Sequence, residues 1–259
     1  MKIKLYQIDS FTTNLFSGNP AAVCPLESWL DDDLMKKIAA ENNLSETAFY
    51  VKEGDHYHLR WFTPTVEVDL CGHATLAAAY VLFDVLKEEN DKIIFDSLSG
   101  KLEVTKDSNL ISLNFPARRP KKVDIIEQYK KCLDVEPLEA HFHTKLLFVL
   151  NSEGEVINAV PNFEEIAKLN SDGLIITSQG NKTDFVSRYF APNAGINEDP
   201  VTGSAHTVLT PFWAERLNKK KLTARQVSKR GGDLYCEDMN DRIAISGNAV
   251  LYSTGEINL

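Results

Sequence analysis

One feature constrains this chain more than any other: it repeats itself. Arg60-Trp-Phe-Thr-Pro64 returns as Arg188-Tyr-Phe-Ala-Pro192, an offset of 128 residues. Cys71-Gly72-His73-Ala74 returns as Thr202-Gly203-Ser204-Ala205, at an offset of 131. Gly100-Lys-Leu102-Glu-Val104 matches Gly232-Asp-Leu234-Tyr-Cys236, and Ile111-Ser-Leu113 matches Ile243-Ala-Ile245, both at 132. Four matches that keep their order and nearly keep their offset point to two related halves. The division expected from them is 1–117, which the tail 248–259 can complete, and 118–247. The basic stretch Arg118-Arg119-Pro120-Lys121-Lys122 is the expected crossing between them.

Each half follows one plan. A β-rich start runs to the Arg-aromatic-Phe-x-Pro segment, where proline ends the ladder. A turn and a Gly-led helix come next, expected at about 75–86 and about 205–217. Pro211 predicts a kink or early break in the second helix. Each helix is followed by a hairpin whose apolar residues alternate, Leu102, Val104, Ile111 and Leu113 in one half and Leu234, Cys236, Ile243 and Ile245 in the other. The first helix reads Ala-Thr-Leu-Ala-Ala-Ala-Tyr-Val-Leu-Phe and is apolar nearly all round, so it must be buried on most sides. Wrapping a sheet around it achieves that. The expected class is α+β: two pseudo-symmetric lobes, each a curved, mostly antiparallel sheet or barrel around a central helix. A further helix is expected at about 31–43, with acids at its start.

Composition excludes several functions. With 28 Lys and Arg against 37 Asp and Glu, the net charge is −9, which argues against a nucleic-acid partner. The longest near-apolar run, Ala74 to Phe83, is half of a membrane span, and the alternating N-terminus does not read as a signal peptide. Cys24, Cys71, Cys132 and Cys236 form no C-x-x-C pair, so neither a zinc site nor a redox motif is expected; reduced thiols in a cytoplasmic protein are. There is no Walker A sequence, no G-x-G-x-x-G after a strand, no H-E-x-x-H and no G-x-S-x-G.

Several residues could carry chemistry. Gly72 and Gly203 each open a buried helix, where unpaired N–H groups and the positive end of the macrodipole meet a ligand. Two such termini facing each other across an interlobe cleft would form a double anion site for a substrate carboxylate; the alternative is two plain loop-to-helix turns. Glu46 leads the apolar run Thr47 to Val51, where partial burial favours general acid/base work; on the residues alone a surface glutamate at a strand end is the plainer reading. Glu198-Asp199-Pro200 puts two acids before the second Gly turn, or else starts an Asx-type turn. His73 sits at a helix start, able to orient a substrate or share a proton as a neutral imidazole. His206, two residues beyond Ser204, points elsewhere. His56 and His58, and His141 and His143, read as strand surface pairs, with a His-x-His metal pair as the lesser reading.

The segments Asp9-Ser-Phe11 to Gly18-Asn-Pro-Ala-Ala-Val23, Asn43-Leu-Ser-Glu46-Thr-Ala-Phe49, Arg60-Trp-Phe-Thr-Pro64 with Glu67-Val-Asp-Leu-Cys-Gly-His-Ala-Thr75, and Asp199-Pro-Val-Thr-Gly-Ser-Ala205 together resemble the PhzF family of phenazine-biosynthesis-type isomerases. The resemblance implies the diaminopimelate-epimerase-like fold and a homodimer, with no metal and no organic cofactor. It implies Glu46 as the acid/base, His73, Asp199 and Ser204 as polar residues lining the site with it, and Gly72 and Gly203 as backbone donors to a substrate carboxylate. The related epimerases and racemases carry a thiol before each of the two glycines. Here those substrate-binding positions are Cys71 and Thr202, so one thiol is missing and the isomerase branch fits better. The expected activity is a cofactor-independent proton shift on a small carboxylic acid. Two alternatives stand beside it: an amino-acid epimerase or racemase using Cys71, and a non-catalytic member that binds a small acid or a protein.

Overall fold

The computed structural model describes all 259 residues. They divide into two compact units, Met1–Asn114 with Ser246–Leu259, and Phe115–Ile245.

The first unit is built on β1 (Lys2–Ser10), β2 (Asn19–Leu26), α1 (Asp32–Asn42), β3 (Glu46–Glu53), β4 (His56–Phe62), β5 (Glu67–Val68), α2 (Gly72–Tyr80), β6 (Lys92–Ser97), β7 (Gly100–Asp107) and β8 (Leu110–Pro116). The last strand of the chain, Ala249–Asn258, lies antiparallel along the whole of β1, whose other edge carries antiparallel β2. From β2 the ladder runs parallel to β3, antiparallel to β4, parallel to β6 and antiparallel through β7 to β8. Thr47 to Val51 of β3 are all buried, because both faces of the sheet are covered. On one face α1 packs Met35, Ile38 and Ala39 against Ile3, Cys24, Phe49 and Phe62. On the other lies α2, whose residues Gly72 to Ala79 are all buried. The turn between β1 and β2 depends on Gly18: its φ is +67°, and a Cβ there would sit 2.1 Å from the carbonyl oxygen of Ser10.

The second unit repeats the plan. Its elements are β9 (Lys121–Val123), α3 (Glu127–Lys130), β10 (Glu139–Phe142), β11 (Leu146–Val149), α4 (Glu153–Asn158), α5 (Phe163–Ala167), β12 (Leu174–Gln179), β13 (Phe185–Ala191), β14 (Ile196–Asp199), α6 (Gly203–Leu217), β15 (Lys221–Gln226), β16 (Gly232–Asp238) and β17 (Arg242–Gly247). The sequence of pairings matches the first unit: β10 antiparallel to β11, parallel to β12, antiparallel to β13, parallel to β15 and antiparallel to β16. The short β14 sits beside β13 as β5 sits beside β4. The inner helix α6 is buried from Ala205 to Ala214. The outer face is closed by a core that includes Phe148, Val156, Ile166, Ile176 and Phe190. Each unit is therefore an α+β body with a mostly antiparallel sheet and one inner helix.

Three sequence expectations need correction. The inner helices start at the glycines themselves, Gly72 and Gly203, not at about 75 and 205, because Cys71 and Thr202 are extended N-caps that turn directly into helix. The first helix closes in a π-helical turn over Val81–Val85. Pro211 does not break α6. Proline cannot donate to the carbonyl four residues earlier, and that carbonyl, on Thr207, is taken instead by the backbone N–H of Arg118 at 3.0 Å.

Candidate functional site

In the first unit, Glu46 is placed by the start of β3 and His73 by the first turn of α2. The Glu46 carboxylate lies 3.2 Å from His73 Nε2. Cys71 Sγ lies 3.5 Å from His73 Nδ1. The imidazole thus contacts both a carboxylate and a thiol. Ser10 fixes the backbone beneath it, its hydroxyl donating to the His73 carbonyl at 2.8 Å. His73 is 4 % exposed, and burial pushes its imidazole down to about 3. It is therefore neutral near pH 7. The 3.2 Å approach of Nε2 to the carboxylate is a close polar contact, not an aligned hydrogen bond, whereas Nδ1 and the thiol are within hydrogen-bonding distance. Gly72 lies between Cys71 and His73 at the first position of the helix. The Cys71 side chain makes no capping bond to α2, so it leaves the first-turn N–H groups to other acceptors. In contrast, Asp31, Ser152 and Asn162 cap α1, α4 and α5.

In the second unit, Asp199 ends β14 and Thr202 precedes α6. Thr202 turns its hydroxyl away from its own helix and donates to the Asp199 carboxylate at 2.5 Å. Gln226, at the end of β15 and wholly buried, braces this turn. Its Oε1 accepts from the Thr202 N–H at 2.9 Å, and its Nε2 donates to the Asp199 carbonyl at 2.7 Å and to Thr202 Oγ1 at 3.1 Å. Gly203 and the half-buried Ser204 follow as the first residues of α6. His206 is fully buried; its Nδ1 is 2.8 Å from the Thr202 carbonyl, and burial pushes its imidazole down to about 4.

The structure thus brings Glu46, Cys71, Gly72 and His73 together in one unit, and Asp199, Thr202, Gly203 and Ser204 together in the other. Gln226 escaped the sequence reading because nothing in Arg225-Gln226-Val227 marks it. Lys145 escaped it too: it is 5 % exposed, lies over the Tyr189 ring, and its ammonium is held below the usual lysine range by burial. The histidine pairs are not alike. His56 meets Asp55 and Asp96, and His58 meets Glu53, on the surface. His141 is not a surface residue: it is buried beside Glu139 and against Phe212. It lines a groove of about 330 Å³ with Arg119 and Arg216, but those cations are already committed to Asp238 and Glu139. Glu46, Cys71, His73, Asp199, Thr202 and Ser204 do not line that groove.

Two sheet-and-helix units of matching topology, each with a glycine opening its inner helix, define the epimerase-type two-unit fold. A hydroxyproline epimerase from Agrobacterium vitis, solved with bound trans-4-hydroxy-L-proline, shares that fold at a TM-score of 0.65 and 8 % identity, over 99 % of this chain and 92 % of its own. Far nearer is a PhzF-family protein from Enterococcus faecalis, whose crystal structure superposes with a TM-score of 0.98 at 48 % identity over 100 % of both chains. A Pseudomonas aeruginosa protein described as an uncharacterized isomerase is 49 % identical over 100 % of both chains. The model of the phenazine biosynthesis-like (PhzC-PhzF) family matches residues 8–255. The chain belongs to the PhzF family. No helix in it is long and apolar enough to cross a membrane.

Proposed function

We propose that this protein is an isomerase that shifts a proton on a small carboxylic acid, with Glu46 as the acid/base. The observation that carries this reading is the Glu46 carboxylate 3.2 Å from a neutral, buried His73, beside an uncapped helix N-terminus. The backbone donors from Gly72 onward supply positive potential where charge develops as a C–H bond breaks. Glu46 takes the proton from one carbon and returns it at another. His73 lies against the carboxylate and, being neutral, does not quench its basicity. No organic cofactor or metal is required by these roles. Asp199, Thr202, Gly203 and Ser204 are assigned to the same reaction because the repeat gives them the positions of Val68, Cys71, Gly72 and His73. A homodimer in the cytoplasm belongs to the same reading.

The test is carbon-bound deuterium uptake in heavy water, with a panel of α-amino acids, conjugated cyclic dienoic acids and a metabolite extract. Loss of a positioned acid/base costs about 10²–10⁴-fold. Glu46→Gln, which keeps shape and removes the base, is expected to lose exchange by that factor while remaining folded. Exchange within threefold of wild type would sink the assignment.

The contact between Cys71 Sγ and His73 Nδ1 supports a second reading, an epimerase in which the thiol is one of two acid/base groups. Cys71→Ala separates the two. Under the isomerase reading it loosens His73 and lowers exchange modestly; under the epimerase reading it abolishes exchange at the α-carbon.

A further inference from the structure

The cluster at the start of α2 includes a thiol that the proposed proton transfer does not use. A carboxylate oxygen of Glu46, the sulfur of Cys71 and a ring nitrogen of His73 all lie within 4.8 Å of one another. We propose that Glu46, Cys71 and His73 form a site for a soft divalent cation, Zn²⁺ above all. This rests on the cluster's own geometry and not on the isomerase reading.

Thiolate, imidazole and carboxylate are the donors zinc takes, with bonds of roughly 2.0–2.3 Å that put ligand atoms on the order of 3.5 Å apart in a tetrahedron. The contacts already formed, 3.5 Å from sulfur to Nδ1 and 3.2 Å from Nε2 to the carboxylate, have that length. They use opposite nitrogens of one ring, so the ion takes one nitrogen and the far ligand closes by on the order of 1 Å. Glu46 can do this: its side chain has three rotatable bonds and is 13 % exposed, whereas the His73 side chain is 5 % exposed and packed in place.

Charge favours the ion. Binding releases the thiol proton to solvent and leaves a Zn²⁺–S⁻ bond, a Zn²⁺–carboxylate bond and a neutral imidazole. The two anions cancel the ion's charge, so no net charge is buried. Cys71 is the N-cap of a nine-residue helix, and its side chain makes no capping bond to that helix. Three protein ligands leave a fourth position for water or an anion. Where the isomerase reading holds, an ion here occupies the base itself, so Zn²⁺ and turnover exclude each other.

Cobalt substitution tests the site without any substrate. The full-length protein, stripped with a chelator, is titrated with Co²⁺, and a sulfur-to-cobalt charge-transfer absorption is followed; Zn²⁺ is then added to displace it. Wild type is expected to develop the band at one equivalent and to lose it to Zn²⁺. Cys71→Ala and Cys71→Ser are expected to show no band, and His73→Gln to weaken Zn²⁺ binding, read by competition with a chromophoric chelator, by at least about 100-fold. His56→Gln removes a surface imidazole flanked by acids and is expected to change nothing. No band in the wild type would overturn the proposal whatever the variants do, and so would a band that survives in either folded Cys71 variant.

Discussion

Arg60 and Arg188 open the two copies of the Arg-aromatic-Phe motif, and both do the same structural work. Arg60 donates to both carboxylate oxygens of Glu67, each at 2.7 Å, while lying over the Phe62 ring. Arg188 donates to both oxygens of Glu198, at 2.7 and 3.0 Å, while lying over Phe190. Glu67 and Glu198 are 131 residues apart, the offset of the two glycines, so this second half of the motif was written in the sequence. The pair clips the short strand β5 or β14 to its neighbour and so fixes the approach to each glycine. Planar, half-buried, bidentate pairs of this kind are stronger than surface ion pairs. A double-mutant cycle on Arg188→Met and Glu198→Gln, read by urea unfolding, is expected to give a coupling of about 1–3 kcal/mol. Additive losses would show that the pair is incidental. Gln226 is the opposite case. Its amide spans 24 residues in sequence to reach Thr202, and no local pattern announces such a bond. Gln226→Leu takes the acceptor from the Thr202 N–H and a donor from the Asp199 carbonyl in the core, which is expected to cost about 2–4 kcal/mol. A loss below half a kilocalorie would mean that water replaces it.

At the scale of elements, the apolar girth of α2 made its burial legible, and with it the need for a sheet on one side. What the pattern could not supply was the helix start, because cap geometry depends on the extended backbone of Cys71 and Thr202. Nor could it supply the rescue of Thr207 by Arg118, a contact between distant segments. The repeat also hides an asymmetry. Thr47 faces Phe62 across β3–β4 as Leu174 faces Phe190 across β12–β13. Glu46 therefore corresponds to Gly173, and only one unit carries a carboxylate at this position. A side chain at Gly173 is barred: its φ is +144°, and a Cβ would sit 2.6 Å from the Phe190 carbonyl oxygen.

The inner helix α6 also carries a pH dependence. The His206 imidazole donates through Nδ1 to Thr202, and its buried Nε2 has no hydrogen-bond partner. Burial strips water from the ring and penalises its charged form, which is why its folded value falls from 6.5 to about 4. Between those values the unfolded chain binds the proton more readily than the folded one. Stability is therefore full above about pH 6.5, falls as pH drops towards 4, and levels off below. The loss from this group is at most on the order of 3 kcal/mol. Unfolding free energies measured across that window should fall less steeply in His206→Gln. An unchanged slope in the variant would exclude His206 as the source.

For the molecule as a whole, the first unit is closed by the end of the chain. Register pairs run from Lys2 with Asn258 to Ser10 with Ala249, and the Leu259 N–H donates to the Met1 carbonyl at 2.8 Å. Ile257 packs against the cluster of Ile3, Met35 and Phe49. Deleting 249–259 therefore strips one edge of β1 and uncovers that cluster, whereas connecting the two ends changes nothing that the fold uses. A permutant can separate contact from connectivity. Residue 259 is joined to residue 1 by a short Gly/Ser linker, and the chain is reopened between Gly54 and Asp55. That turn joins β3 and β4 on the surface, and no atom crowds Gly54. Loop-closure costs change slowly with length, so the permutant is expected to unfold within a few degrees of wild type in a thermal scan. The 249–259 deletion is expected to lose cooperative unfolding, with hydrogen exchange in β1 and β2 rising to that of an open chain. A deletion variant that still melts cooperatively would mean that the first unit folds without its last strand. A permutant that fails to fold would mean that it needs the native order of its strands, not only their contacts.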